Sequence, residues 1–263
     1  MIRLIAADMD GTLLDSRRNL PPGLFGAIRA LRRQGVLFVA ASGRQYYNLV
    51  HLFDGIRDEI VFISENGAAI FQCGKAVFTD TMPVSSLEEP LSCIAQTPQL
   101  YPGLGGVQSS YIAKCDEDAL AHAKLYYNRL EVVPDLLEAA RYDSICKIAV
   151  YDTLDAEQRG YPLLRQFSSR FQVSLSGNAW VDMMKAGVNK GSAVRHLQQQ
   201  YGISYGETMV FGDYLNDWEM MQAAYYSFAM ANAHPALKTV SHFQAKSNDE
   251  NGVLEAIGQY FKL

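Results

Sequence analysis

Residues 2–15 read IRLIAADMDGTLLD, and the placing of charge in this stretch decides the fold. A short apolar run, broken by one arginine, climbs into Asp8. Asp10 follows two residues later, then Gly11 and Thr12. A continuous apolar run of this length that ends in a turn signal reads as a strand buried on both faces of a parallel sheet. Burying one carboxylate is costly, and burying two side by side costs more. A strand that ends on paired acids expects a positive partner at its carboxyl end.

The same rhythm recurs downstream. Pro21-Pro22 opens a helical pattern with Leu24, Ile28 and Leu31 on one face, and Gly35 closes it. VLFVAA at 36–41 is a second buried strand running into Ser42, Gly43 and Arg44. A helix over about 44–53 and a strand at 60–63 follow. This alternation specifies βαβ units and a parallel sheet. Asn66-Gly67 marks a hairpin-type turn between strand-like pieces that extend to Thr81. From 83 to 184 the pattern changes, with helical stretches near 85–96, 116–130 and 155–168 and strands at 146–151, 171–175 and 179–184. The α/β rhythm then returns: a helix at 190–201, a strand at 208–211 ending in Gly212-Asp213, a helix from about 216, a strand near 226–230 and a helix from about 252. The expected architecture is α/β. A three-layer, Rossmann-like core with a parallel sheet is built from residues 1–82 and 185–263, and residues 83–184 form an inserted α+β domain.

At 263 residues, 49% apolar and 19% charged, the chain can bury a sizeable core in one large or two modest domains. A net charge of −5 gives no basic footprint for nucleic acid and no polybasic membrane patch, and suits a cationic cofactor. The four cysteines are scattered without a C-x-x-C pair, as free thiols in a reducing compartment are. No signal-peptide pattern opens the chain and no stretch approaches the ~20 apolar residues of a membrane span. The expectation is a cytoplasmic monomer or small homo-oligomer acting on a small molecule.

Asp8 with Asp10, Ser42, Lys190, and Asp213 with Asn216 and Asp217 all fall at strand ends or helix starts, the edge at which open α/β sheets bind ligands. Three carboxylates within ~4 Å repel by about 4 kcal/mol per pair at an effective dielectric near 20. A hard divalent cation removes that cost, and oxygen donors suit Mg2+. No H-E-x-x-H occurs among the five histidines, which argues against zinc. Aspartates serve as covalent nucleophiles in phosphoryl transfer. A phosphate beside Asp8 needs cations and oriented N–H groups, which the Gly11 turn, Ser42 beside Gly43, and Lys190 can provide. Taken singly, these pieces read as an Asp-Gly turn, a helix cap, a surface lysine and a capping loop. Their combination in this order carries the signal.

DMDGTLLD at 8–15, ASGR at 41–44, Lys190 in GVNKGSA and GDYLND at 212–217 resemble the four motifs of the haloacid dehalogenase (HAD) superfamily of phosphatases. The insert, with SENGA at 64–68, resembles the Cof-type branch and its class IIB cap. The resemblance implies Asp8 as nucleophile and Mg2+ ligand. It implies Asp10 as general acid and then base, with its backbone carbonyl on the metal, and Asp213 as a further ligand with Asp217 nearby. Ser42, the N–H groups of Gly43 and Met9, Lys190 and Asn216 would hold the phosphoryl oxygens. Arg44 and the Asn66-Gly67 turn would face the leaving group. One departure stands out: Tyr214 and Leu215 follow Asp213 where family members often carry small residues, so the ring either narrows the pocket or packs under the cap. Asp10 favours phosphate ester hydrolysis or phosphomutase chemistry over dehalogenation, because an alkoxide leaving group needs a proton. Hydrolysis is preferred, since nothing marks a second phosphate site. A non-enzymatic phosphate-sensing module is the rival of another class, but receiver modules are about half this size. The cap should close over the site. Trp180, Asp182, Met183 and Met184 sit at its exit, the methionines as core filler, and Tyr101, Tyr111, Tyr126 and Tyr127 are available to stack on a substrate. A small sugar phosphate is the expected substrate, with a cofactor phosphate as the alternative.

Overall fold

The apolar run that opens the chain becomes β1 (Leu4–Asp8), five residues all buried. β2 (Leu37–Ala41), β3 (Val61–Ser64), β4 (Ala69–Gln72) and β5 (Lys75–Thr79) follow it. The inserted segment contributes β6 (Leu100–Gly106), β7 (Ser110–Ala113), β8 (Leu130–Val133), β9 (Ile145–Asp152), β10 (Phe171–Leu175) and β11 (Trp180–Lys185). β12 (Thr208–Gly212), β13 (Tyr226–Met230) and β14 (Phe243–Ala245) complete the set. The computed structural model describes residues 1–262, and among them these strands form two sheets.

The larger sheet has the order β14-β13-β12-β1-β2-β3-β4-β5. Every pairing from β14 to β3 is parallel, while β4 and β5 are added antiparallel at one edge. Helices supply the crossovers. Helix Leu24–Arg33 buries Leu24, Ile28 and Leu31, and helix Lys190–Tyr201 buries Val194 and Leu197 against the same core. Asn66-Gly67 lies in the loop that joins β3 to β4, where Glu65 and Asn66 adopt φ of 50° and 54°. The strand order puts the loops after β12, β1, β2 and β3 side by side at the carboxyl edge of the sheet.

The second sheet runs β10-β11-β9-β6-β7-β8, antiparallel except for β7 with β8. It has its own apolar cluster, which includes Leu104, Ile148, Val150 and Met183. Met184, on the opposite face of β11, packs instead into the cluster of the larger sheet. The insert departs from the sequence expectation in three places. The helix expected over 116–130 ends at Lys124, and Leu130–Val133 is a strand. The stretch 155–168 is not one helix. It breaks into a wide turn at Ala156–Gly160, a single helical turn at Tyr161–Leu164 around Pro162, and a tighter turn at Arg165–Phe167. Leu100–Gly106 and Ser110–Ala113, where the sequence pattern assigns no element, are strands, the first of them paired on both sides. A strand glycine marks a place where something approaches closely. A Cβ at Gly105 would lie 2.8 Å from Oε2 of Glu65.

All four cysteines are unpaired. No described helix is long and apolar enough to cross a membrane.

Candidate active site

Beyond Asp8 the chain turns at once: the N–H groups of Leu13 and Leu14 both donate to the Met9 carbonyl, at 3.0 and 2.8 Å. Gly11 makes the turn possible. Its φ is 75°, and a Cβ there would fall 2.3 Å from Oδ2 of Asp213. With glycine in place, the loop after β1 lies against the loop after β12, and Thr12 donates its hydroxyl to Asp213 at 2.9 Å. Asp217 folds the second loop from within. Its Oδ2 accepts the N–H groups of Asp213 and Tyr214 at 3.0 and 3.3 Å. Lys190 is the first residue of its helix, which Asn189 and Ser192 close with a reciprocal capping box. Its ammonium, fully buried, donates to Asp8 at 2.5 Å and to Asp217 at 2.7 Å.

Carboxylate oxygens of Asp8, Asp213 and Asp217 lie within 4.8 Å of one another. Burial raises the Asp8 carboxyl well above its usual range. Lys190 pulls it back, and Asp217 and Asp213 push it further up. Burial, then the Asp217 charge, lifts Asp213 to about 7. Burial alone would lower the Lys190 ammonium, but Asp217 and Asp8 outweigh it and hold the group above its ordinary value. Three carboxylates facing one ammonium leave two negative charges uncompensated. A divalent cation closes that deficit, and an all-oxygen donor set suits a hard ion. The side chain of Asp10 lies outside this cluster. The guanidinium of Arg44 grips both its oxygens, so towards a cation Asp10 has its backbone carbonyl to offer.

The crowding has a measurable consequence. A carboxyl near 7 in the folded chain and near ~3.9 in the unfolded one contributes stability that is present at low pH and lost as pH rises through about 7. Metal-free protein is expected to be more stable to urea at pH 5 than at pH 7.5, and saturating Mg2+ to flatten the slope. A metal-free stability that rises over this interval would contradict the crowding.

A cavity of ≈ 310 Å³ lies between the two sheets. Asp8, Asp10, Ser42, Gly43, Asp213 and Asn216 form its floor, and cap residues its roof. Ser42 is buried, and its hydroxyl accepts the N–H of Arg44 at 3.1 Å. The Met9 side chain is fully buried, which leaves only its backbone to face the site. Lys190 and Asp217 sit beneath the floor. The Asn66-Gly67 turn, expected to face the leaving group, does not line the cavity. Asn66 stands behind Asn216, accepting its amide N–H at 3.1 Å, and Gly67 packs on the Asn189 carbonyl, where a Cβ would lie at 2.2 Å. Tyr214 does both things its bulk allows: it lines the cavity and packs against the cap cluster. Of the cap tyrosines, Tyr126 and Tyr127 reach the cavity beside Trp180, while Tyr101 and Tyr111 do not. Sequence reasoning missed Lys147 and the Ser176–Asn178 loop, which also line it. For Lys147 a signal existed, a lone charge inside the apolar run 145–150.

The family model described as haloacid dehalogenase-like hydrolase matches residues 5–257. The chain is 34% identical to the 5-amino-6-(5-phospho-D-ribitylamino)uracil phosphatase YbjI of Escherichia coli, over 99% of this chain and 97% of that one. Its fold superposes on SMU.1108c from Streptococcus mutans with a TM-score of 0.91 at 28% identity, covering 99% of each chain. It superposes on the HAD subclass IIB sugar phosphatase BT4131 with a TM-score of 0.83 at 21% identity, covering 98% of each, a likeness of fold.

Proposed function

The chain belongs to the haloacid dehalogenase-like hydrolases, in the Cof-type branch, and is a phosphoric monoester hydrolase; from that premise we propose a Mg2+-dependent route through an aspartyl-phosphate on Asp8. A carboxylate oxygen of Asp8 attacks phosphorus and the ester oxygen departs. Asp10 gives that oxygen its proton, having swung away from Arg44. Asp10 then takes a proton from the water that attacks the aspartyl-phosphate, which frees Asp8 and inorganic phosphate. The Ser42 hydroxyl, the N–H groups of Met9 and Gly43, the Asn216 amide and the Lys190 ammonium hold the phosphoryl oxygens. Asp8, Asp213 and the Asp10 carbonyl would hold Mg2+, with Asp217 behind them. Bound there, the cation would neutralise the acid cluster and draw off phosphoryl charge. One observation carries this reading. Asp8 is held at 2.5 Å by a buried ammonium and lines a cavity of metabolite size.

Hydrolysis is favoured over phosphoryl exchange between two esters. Among the described residues, the cavity's cations are Arg44 and Lys147, and each is already paired with a carboxylate. A mutase needs a waiting cation for its second phosphate. The roof favours a leaving group with a flat ring, because Trp180, Tyr126 and Tyr127 face the cavity and Tyr151 and His122 back the indole. The compound named for the E. coli relative, a ribityl phosphate joined to a uracil, is the first to assay, with simple sugar phosphates beside it.

Two results follow. EDTA abolishes phosphate release from p-nitrophenyl phosphate and Mg2+ restores it; full activity in EDTA would rule the mechanism out. Trp180→Ala raises KM for ring-bearing phosphate esters ~3- to 10-fold, the worth of one aromatic stacking contact. Glycerol phosphate should change by less than about twofold, and an equal loss on both would remove the indole from substrate selection.

A further inference from the structure

Two cap residues reach past the substrate cavity and grip the phosphate-holding loops themselves. Lys147 on β9 and Asp182 on β11 are 3% and 2% exposed. The Lys147 ammonium donates to the Gly43 carbonyl at 2.5 Å. It also lies 3.1 Å from Oε2 of Glu65 and 3.4 Å from the Asp182 carboxylate. Asp182 Oδ2 accepts an amide N–H of Asn66 at 2.6 Å, and Ser176 meets the same nitrogen at 3.1 Å. A carboxylate only accepts, so the nitrogen of Asn66 must face Asp182 and its oxygen must face away. That oxygen receives one N–H of Asn216 at 3.1 Å. The second N–H of Asn216 is thereby left for a ligand in the cavity.

The arrangement is costly if its purpose is stability alone. Two buried carboxylates share one ammonium, and Oδ1 of Asp182 and Oε1 of Glu65 accept no hydrogen bond. Glu65 and Asn66 both hold a left-handed backbone, which non-glycine residues adopt only under strain. Gly105 in the cap sheet leaves the gap into which Glu65 fits.

We propose that Lys147 and Asp182 are positioning residues for the phosphate cradle, setting Gly43 directly and Asn216 through Asn66. The cradle then takes its binding geometry only with the cap seated, and phosphate binding and cap closure become one event. This rests on the reading of Ser42, Gly43 and Asn216 as phosphate ligands. Displacements near 1 Å in such ligands cost up to about 10²-fold.

The probe is inorganic phosphate, competing against p-nitrophenyl phosphate in the Mg2+-loaded full chain. It is small enough to occupy the cradle without touching the aromatic roof. Asp182→Ala leaves Lys147 and Glu65 charge-balanced, so the fold should hold, as thermal denaturation will report. Its Ki for phosphate should rise roughly tenfold or more, and kcat should fall in parallel. Asp182→Asn presents a carbonyl to Asn66 and should recover both to within about threefold. If Asp182→Ala does not fold, Asn66→Gly removes the same link from the core side, accepts the positive φ, and should raise Ki equally. A folded Asp182→Ala or Asn66→Gly with unchanged Ki overturns the proposal, as does failure of Asp182→Asn to recover. Ser42→Ala separates the two levels. If it weakens phosphate while Asp182→Ala does not, the positioning role alone is wrong; if neither weakens it, the cradle reading falls.

Discussion

Asp8→Asn abolishes turnover, by about 10⁴-fold or more, and leaves the protein folded. The amide has the shape of the carboxylate, but its neutral oxygen is too weak a nucleophile to attack phosphorus. Its effect on stability has a definite sign. Fully ionised, the native cluster would carry two negative charges more than Lys190 neutralises, and burial with that repulsion drives the Asp8 carboxyl upward. Removing one acid relieves like-charge repulsion, and Lys190 keeps its 2.7 Å bond to Asp217. In metal-free protein the denaturation midpoint of Asp8→Asn should equal or exceed that of the parent. In saturating Mg2+ that advantage should shrink, since the variant has lost a ligand. Phosphate release above about one hundredth of the parent rate, in protein freed of contaminating phosphatase, would dismiss Asp8 as the nucleophile.

Lys190→Met is expected to be the most damaging change to stability. The ammonium has no exposed surface and two carboxylate partners. Breaking a buried pair by removing one partner costs about 3–5 kcal/mol, and here the loss leaves three acids together with no cation. Methionine fills the volume, so the loss is electrostatic rather than a cavity effect. Urea denaturation should show the full deficit without metal and a smaller one with Mg2+. The variant should also be nearly inactive in Mg2+, because phosphate arrives at Asp8 without its buried counter-charge. A metal-free loss below about 1 kcal/mol would mean that the acids are not ionised together, and the account of the site would fail.

What could be read from the sequence divides along a physical line. β1, β2, β3, β12 and β13 announce themselves as continuous apolar runs, because a strand buried on both faces admits little else. Their helices follow a 3.6-residue period for the same reason. β6 does not announce itself. Its Gly105 answers to Glu65, forty residues earlier in the chain, and local pattern carries no record of such a neighbour. Leu130–Val133 carries no strand signal, because Glu131 and Val132 are exposed and the stretch lacks a buried face. The candidate site shows the same division. Asp8, Ser42 and Asp213 stand at strand ends, and strand ends can be inferred. The Asn66-Gly67 signal reports a backbone turn and is silent about which side of it meets solvent. Lys147 and the Ser176–Asn178 loop reach the cavity only because the cap folds back over the core; the lone charge in its apolar run marks the lysine, but nothing within a few residues marks the loop.

The cap enters between β5 and β12 and leaves the strands that present Asp8, Ser42 and Asp213 neighbours in one sheet. Such an arrangement invites evolutionary exchange: one module can be traded for another while the reacting centre is inherited whole. The exchange carries a condition. An incoming module that lacks an acceptor for the Asn66 amide and a donor for the Gly43 carbonyl would bring a new taste in substrates to a centre no longer shaped to act on them, so lineages that diversify the roof should keep those two attachment points.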